Sequence, residues 1–303
     1  MTLVPAGVSA VIITALHPLG YAKVLIQLGH EPLPQYSAKE LLWRRTRNYY
    51  PSVFSYIKHI KSQDGFTGLY RGLIPRILEG IVGSIVTQNV TEYMKKALPG
   101  KEDVEDSEVQ IFIKSFGMQT SREVVAKIVA TIASHPFHVI ALRSMAQFVG
   151  KEELYSGPLV SVQEIYSNEG IAGFFAGLIP RLIGDAVAIA LINFLSELVN
   201  RYLLSEKEHK AYTAAACSLV VTQFTYPFEL VSRNMSVKPA NLMAAKNMPD
   251  YTGWTDCWRM LRQNKECLTC FTDLRSDKCR MRLNETMGPY NVFLMEVPFL
   301  MFN

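Results

Sequence analysis

The stretch Ser134-His135-Pro136-Phe137-His138 opens an apolar run, and Gly177-Leu178-Ile179-Pro180-Arg181 closes the segment that follows it. The closing pentapeptide occurs letter for letter a second time, as Gly72-Leu73-Ile74-Pro75-Arg76. Both copies follow an acid-glycine pair at the same interval, Asp64-Gly65 before the first and Glu169-Gly170 before the second. The opening recurs too, in His17-Pro18, His135-Pro136 and Tyr226-Pro227. An identity of this length with flanking signals in register is a repeat, and a repeat decides the fold before any local reading does. Each unit reads as an apolar segment carrying a proline, a polar connection, a short amphipathic stretch, an acid-glycine turn and a second apolar segment opening on Pro-Arg. The prolines stand 118 and 91 residues apart. A period of about 100 is too long for a solenoid unit and suits a helical hairpin used three times.

Composition points the same way. Of 303 residues, 49% are hydrophobic and 19% charged, against roughly 25% charged in ordinary soluble domains. That balance favours a membrane bundle. The net charge of +4 gives no reason to expect nucleic acid. Five cysteines cannot all pair, which argues against a disulfide framework. The first charged side chain is Lys23, so no basic segment of a secretory signal is expected, nor an Arg-rich presequence; internal helices would have to address the chain.

Taken in order, residues 3–29 form a first span with Pro18 two-thirds along it, long enough for roughly 30 Å of hydrocarbon. Neighbouring helices re-satisfy the carbonyl that such a proline frees. The stretch from Trp43 to Tyr50 reads as an interfacial loop. Val53–Ile60 has the spacing of a short amphipathic helix, ended by Asp64-Gly65. Residues 73–95 read as a second span burdened by Glu79, Gln88, Asn89 and Glu92. The second unit repeats the plan, with spans at 122–149 and 178–203, and the third begins with a span at 211–237. After Glu266 the pattern stops, and the last apolar patch, Val292–Phe302, is too short to cross. The chain thus divides into repeat 1 (1–98), a polar linker (99–120), repeat 2 (121–204), a partial repeat 3 (205–265) and a divergent tail (266–303). The expected fold is an all-α membrane protein with five transmembrane helices, a degenerate sixth and short amphipathic surface helices.

The repeat resembles the mitochondrial carrier family, whose signature is Pro-x-acid-x-x-base followed by acid-Gly, four residues and aromatic-base-Gly. Asp64 to Gly72 matches the second half completely, and Glu169 to Gly177 matches it except that Ala176 replaces the base. The first half is eroded. The acid place holds Gly20, His138 and Glu229 in turn, and the base place Lys23, Ala141 and Ser232. In ordinary carriers these acids and bases pair between helices to close a pore, whereas here one cross-pair, Lys23 with Glu229, survives. Signature residues are therefore Pro18, Pro136, Pro227, Asp64, Gly65, Gly72, Pro75, Arg76, Glu169, Gly170, Gly177 and Pro180. Further stretches, among them Lys23-Val24-Leu25-Ile26-Gln27 and Gln147-Phe148-Val149-Gly150, are similar to the mitochondrial carrier homolog branch of that family. The resemblance runs from about Leu16 to about Met260.

That resemblance implies a multi-pass protein of the mitochondrial outer membrane. It implies insertase activity towards tail-anchored and other α-helical membrane proteins, docking of truncated BID, and links to lipid scrambling. The lipid bilayer is the remaining partner; no cofactor is expected. A missing sixth span would leave a groove open to lipid.

Candidate groove residues follow from helical spacing. Arg181, Asp185, Asn193 and Glu197 stack at four-residue steps with Ile189 among them, and an ionisable group at mid-membrane must face protein or water. Arg181 with Asp185 also reads as a helix-end pair. Lys23 and Gln27 share a face of the first span, and Tyr226 and Glu229 a face of the fifth. Arg143 reads equally as groove or interface. No phosphate loop, nucleophile elbow or zinc-protease motif is present. His135-x-x-His138 lacks a third ligand for a metal site. Cys257, Cys267, Cys270 and Cys279 hold one C-x-x-C where zinc sites usually show two close pairs, so they read as reduced thiols. Two rival functions remain at this level, a true solute carrier and an apoptotic docking scaffold.

Overall fold

In the computed structural model, which describes residues 3–30, 32–34, 36–39, 46–49, 51–97, 108–202 and 207–263, three helices run through the prolines that mark the repeat. They are α1 (Leu3–Gln27, with Pro18), α4 (Glu108–Ala146, with Pro136) and α7 (Lys207–Val237, with Pro227). A proline inside a helix lacks the N–H that would bond back and crowds the preceding turn. Here each proline lies where the helix enters the packed end of the bundle.

Two further long helices, α3 (Leu73–Ala97) and α6 (Leu178–Tyr202), begin on the repeated pentapeptide. Pro75 and Pro180 fall in the first turn, where no backbone N–H is missed. Gly72 and Gly177, each just ahead of its helix, share a φ of 76°, a left-handed conformation that glycine adopts without strain.

Short surface helices fill the connections. The first, α2 (Val53–Gly68), is capped by Ser52 and breaks at Gly65, with φ 73° and ψ −171°. Val53, Tyr56 and Ile60 face inward while Phe54 and Phe66 stay exposed. Next, α5 (Pro158–Glu169) leads through a 3₁₀ turn (Ile171–Phe175) into α6. Last come α8 (Met243–Lys246) and α9 (Trp254–Gln263). The acid-glycine turns therefore end the amphipathic pieces where the sequence places them.

The structure revises several boundaries. Four described helices, not five, are apolar and long enough to cross a membrane, within Ala10–Gln27, Phe116–Ala146, Ile171–Arg201 and Tyr212–Val237. The helix that falls short is α3, as long as α6 but loaded with polar residues in its second half. Helix α4 starts at Glu108, inside the segment read as linker, and α7 starts at Lys207. Part of the expected loop over 43–50 is a strand, β2 (Thr46–Tyr49), paired antiparallel with β1 (Tyr36–Lys39). The 266–303 tail, with Cys267, Cys270 and Cys279, lies outside the described residues.

The main core sits beyond the prolines. It joins Tyr21, Val24 and Leu25 of α1, Val139, Leu142 and Met145 of α4, Val237 of α7, and Tyr56, Ile60 and Ile165 of the surface helices. A second cluster, Leu230, Val231, Cys257 and Leu261, seats α9 on α7, with the rings of Phe228 and Trp258 4.6 Å apart. Cys257 is fully buried, and burial pushes its thiol up to about 12. Only a thiolate attacks a maleimide, so Cys257 is expected to stay unlabelled at pH 8 in the folded protein and to label on unfolding. Mass analysis of the peptide over 254–263 checks this; native-state labelling would refute the seating of α9.

Candidate functional site

Helix α6 carries its polar residues four apart, which stacks them on one face, and three of them find a partner on another helix. Arg181 donates from Nη2 to Glu79 Oε1 of α3 at 2.8 Å. Thr131 of α4 donates to Asp185 Oδ2 at 2.8 Å. Asn193 donates to Glu123 Oε2 at 2.6 Å and to Thr120 Oγ1 at 3.3 Å, both on α4. His138, also on α4, donates from Nδ1 to the same Glu79 Oε1 at 2.9 Å. From Thr120 to His138 the helix rises about 27 Å at 1.5 Å per residue, close to the hydrocarbon thickness. Polar groups bonded to α6 directly, or to α3 through Glu79, thus mark a seam along most of this length of α4.

A second group joins α1 to α7. Gln27 donates to Tyr226 Oη at 3.1 Å. Arg233 donates through Nη1 to Gln27 Oε1 and through Nη2 to Glu229 Oε1. Lys23 Nζ lies 6.0 Å from the centroid of the Tyr226 ring. The charges of Arg233, Lys23, Arg181 and Arg76 all act on Glu229, and those of Glu79, Arg233, Glu229 and Arg181 act on Arg76. The two groups are therefore one electrostatic cluster. Lys23, Arg76, Arg181 and Arg233 stand against Glu79, Asp185 and Glu229. Charges at this depth cost about 2.5–3.5 kcal/mol each on insertion scales, and mutual pairing offsets that.

Of the residues picked from the sequence, Lys23, Gln27, Arg181, Asp185, Asn193, Tyr226 and Glu229 all belong to the seam or the cluster. Arg143 does not. It is fully buried in the core, forking Glu169 at 2.5 and 2.8 Å and donating from Nε to Ser236 O at 3.0 Å. The reason lies in the repeat. In the first unit Asp64 pairs with Arg71 at 3.0 Å. The second unit has Ala176 in the place of Arg71, so Glu169 takes its guanidinium from α4.

Two residues central to the site are not picked out by the sequence reading. Glu79 looks like a defect in a doubtful span, although an acid inside an apolar helix demands a partner. Arg233 occupies the place held by Val24 and Leu142 in the other units, which is a usable signal.

A further piece of geometry is shared between repeat copies. His17 Nε2 contacts Arg71 O at 2.9 Å, and His135 Nε2 contacts Ala176 O at 3.0 Å. Each histidine ahead of a proline thereby holds the carbonyl just before the glycine that starts its unit's second helix. Both histidines are spent on backbone, and among the described residues no set of three or more metal-ligating side chains converges.

With two complete proline-marked hairpins and the start of a third, the architecture is that of a carrier repeat. The model for "Mitochondrial carrier protein" matches residues 2–102 and 122–207, and the chain belongs to that family of mitochondrial membrane proteins. It is 42% identical over 256 residues to "Mitochondrial carrier homolog 2" of Homo sapiens, covering 81% of this chain and 84% of the relative. It is 36% identical over 277 residues to "Mitochondrial carrier homolog 1" of Mus musculus, covering 82% and 70%. The "Mitochondrial thiamine pyrophosphate carrier 1" of Neurospora crassa is more distant, at 26% over 266 residues, covering 82% and 76%.

Proposed function

We propose that this protein is an insertase for tail-anchored and other α-helical proteins of the mitochondrial outer membrane, working through the polar seam and the charge cluster. The observation that carries this reading is the succession of three bonded polar groups along α4 and α6: Asn193 with Thr120 and Glu123, Asp185 with Thr131, and Glu79 with His138 and Arg181. A hydrophobic anchor arriving with a polar tail faces hydrocarbon that charged groups cross only at several kcal/mol each. A path lined by Asp185, Asn193, Glu79 and the neighbouring bases supplies exchange partners for that tail, while the anchor leaves sideways into lipid. No covalent step is involved.

The solute-carrier reading is less well supported. The place of the gate's acid holds Gly20 and His138 in two of three units, and Glu229 is bonded within its own helix. The test is insertion of a radiolabelled tail-anchored protein into liposomes containing this protein alone. Asp185→Arg removes the acceptor of Thr131 and sets a second guanidinium beside Arg181, and Lys23→Glu reverses the α1 side. Each is expected to slow insertion about tenfold, the effect of roughly 1.4 kcal/mol on the barrier. Insertion no faster than into empty liposomes would overturn the proposal.

A further inference from the structure

The charge cluster lies close to one end of the bundle. Gln27, which accepts from Arg233, is the last residue of α1. Arg233 itself stands four residues, about 6 Å of helix, from Val237 at the end of α7. Ionisable side chains in a membrane bundle mark the paths of ions and water, so whatever closes this end decides whether the bundle conducts. The closure comes from the connection that follows α7. Its residues Ala240, Leu242, Ala244, Ala245 and Met248 are buried. They belong to the same apolar cluster as Tyr21 and Leu25 of α1, Leu142 and Met145 of α4 and Val237 of α7. Leu242 is fully buried although it belongs to no spanning helix.

The connection is pinned at several points. Lys238, the first residue beyond α7, donates from Nζ to Ala245 O at 3.4 Å and to Met248 O at 3.0 Å, and pairs with Asp250 at 2.8 Å. The short α8 is held from the other side, where Glu152 accepts the Met243 N–H at 3.0 and 3.3 Å. A β-carbon at Gly150 would lie 2.8 Å from that of Met243, so α8 sits directly on the turn that follows α4. Lys151 of the same turn donates to Gln63 Oε1 of α2 at 3.1 Å. That turn is thereby tied to the third unit through Glu152 and to the first through Lys151. Connections ordinarily run over the surface of a protein; this one buries five of its side chains in the core.

We propose that residues 239–250 are a plug, which seals this end of the bundle against ions and small water-soluble molecules and keeps the charge cluster from completing a pore. An apolar constriction bars ions by excluding the water they would travel in, and Leu242 and Met248 supply it here. Lys238 and Glu152 hold it shut, because both close on backbone groups of the plug. The inference goes beyond the insertase reading and does not depend on it: a sealed bundle and a leaking one can each insert clients or fail to.

The test measures release of carboxyfluorescein from liposomes holding the full chain. The unaltered protein is expected to release the dye no faster than empty liposomes do. Lys238→Ala and Leu242→Ser are each expected to speed release about tenfold, the first by untying the plug and the second by wetting it. A third variant separates an opened plug from a misfolded chain. It combines Lys238→Ala with Gly150→Cys and Met243→Cys, whose disulfide ties the plug back to the turn after α4. The two β-carbons need move only about 1–2 Å apart to reach disulfide spacing. Release is expected to be slow while this variant is oxidised and about tenfold faster after reduction. Four results would each overturn the inference. They are an unaltered protein as leaky as its variants, tight liposomes with both single variants, release from the third variant that ignores its redox state, and cysteines that mass analysis shows unlinked after oxidation.

Discussion

Arg143→Met is expected to lower the unfolding free energy by about 3–5 kcal/mol, the usual result of stranding one member of a buried ion pair. The guanidinium is fully buried and makes three bonds, two to Glu169 and one to Ser236 O. Removing it leaves a carboxylate that is largely out of water facing an apolar side chain, and uncouples α5 from α4 and α7 together. Adding Glu169→Gln is expected to restore much of the loss, since a pair removed as a whole leaves no stranded charge. The equivalent change in the first unit, Arg71→Met, breaks a more exposed pair and is expected to cost about 1 kcal/mol. Unfolding titrations in mixed detergent micelles separate these cases. Equal losses for Arg71→Met and Arg143→Met, or strictly additive losses in the double variant, would refute the tie described here.

The second large effect is expected from Gly177→Val. Its φ of 76° is hostile to a β-branched residue, at about 1–3 kcal/mol, and overpacking against Ser232 and Ser236 adds about 1–3 kcal/mol more. Gly72→Val should lose a similar amount against Ala141 and Met145. Gly20, inside α1 with open space to 4 Å around the point where a β-carbon would stand, is the contrast: Gly20→Ala is expected to be neutral or to stabilise by up to about 1 kcal/mol. A Gly177→Val protein as stable as its parent would mean that α6 does not dock on α7 through this glycine.

Much of this architecture can be read from the chain because its punctuation is strong. Proline, the acid-glycine pairs and Gly-Leu-Ile-Pro-Arg each impose a backbone geometry whatever surrounds them, so the surface helices and the starts of α3 and α6 fall where they are expected, whereas α4 and α7, whose starts carry no such mark, begin earlier. The stacked residues of α6 are legible for a related reason, since four-residue spacing sets a face before any partner is known. What spacing cannot supply is the partner. Asp185 and Asn193 stand out as a polar stripe, yet nothing along α6 says that Thr131 and Glu123 answer them. Arg143 is misplaced by the sequence because its role depends on Ala176, a residue absent from its own helix and significant only through what the first unit has there. Glu79 is misjudged because hydropathy counts it against α3, whereas in three dimensions it holds His138 and Arg181 in place. Helix α3 is thus less apolar than a free span for the same reason that it fits its neighbours.

The way each unit closes onto the next also governs how the chain can be assembled. The opening glycine of α3 has no seat until residues 141–145 of α4 have been made, and that of α6 has none until residues 232–236 of α7 have followed. A nascent chain emerging from the ribosome therefore trails one helix whose start is still unseated, handed forward from unit to unit. Each hairpin is finished by sequence translated after it, so truncation within α7 ahead of Ser232 would leave the start of α6 undocked, upstream of the cut.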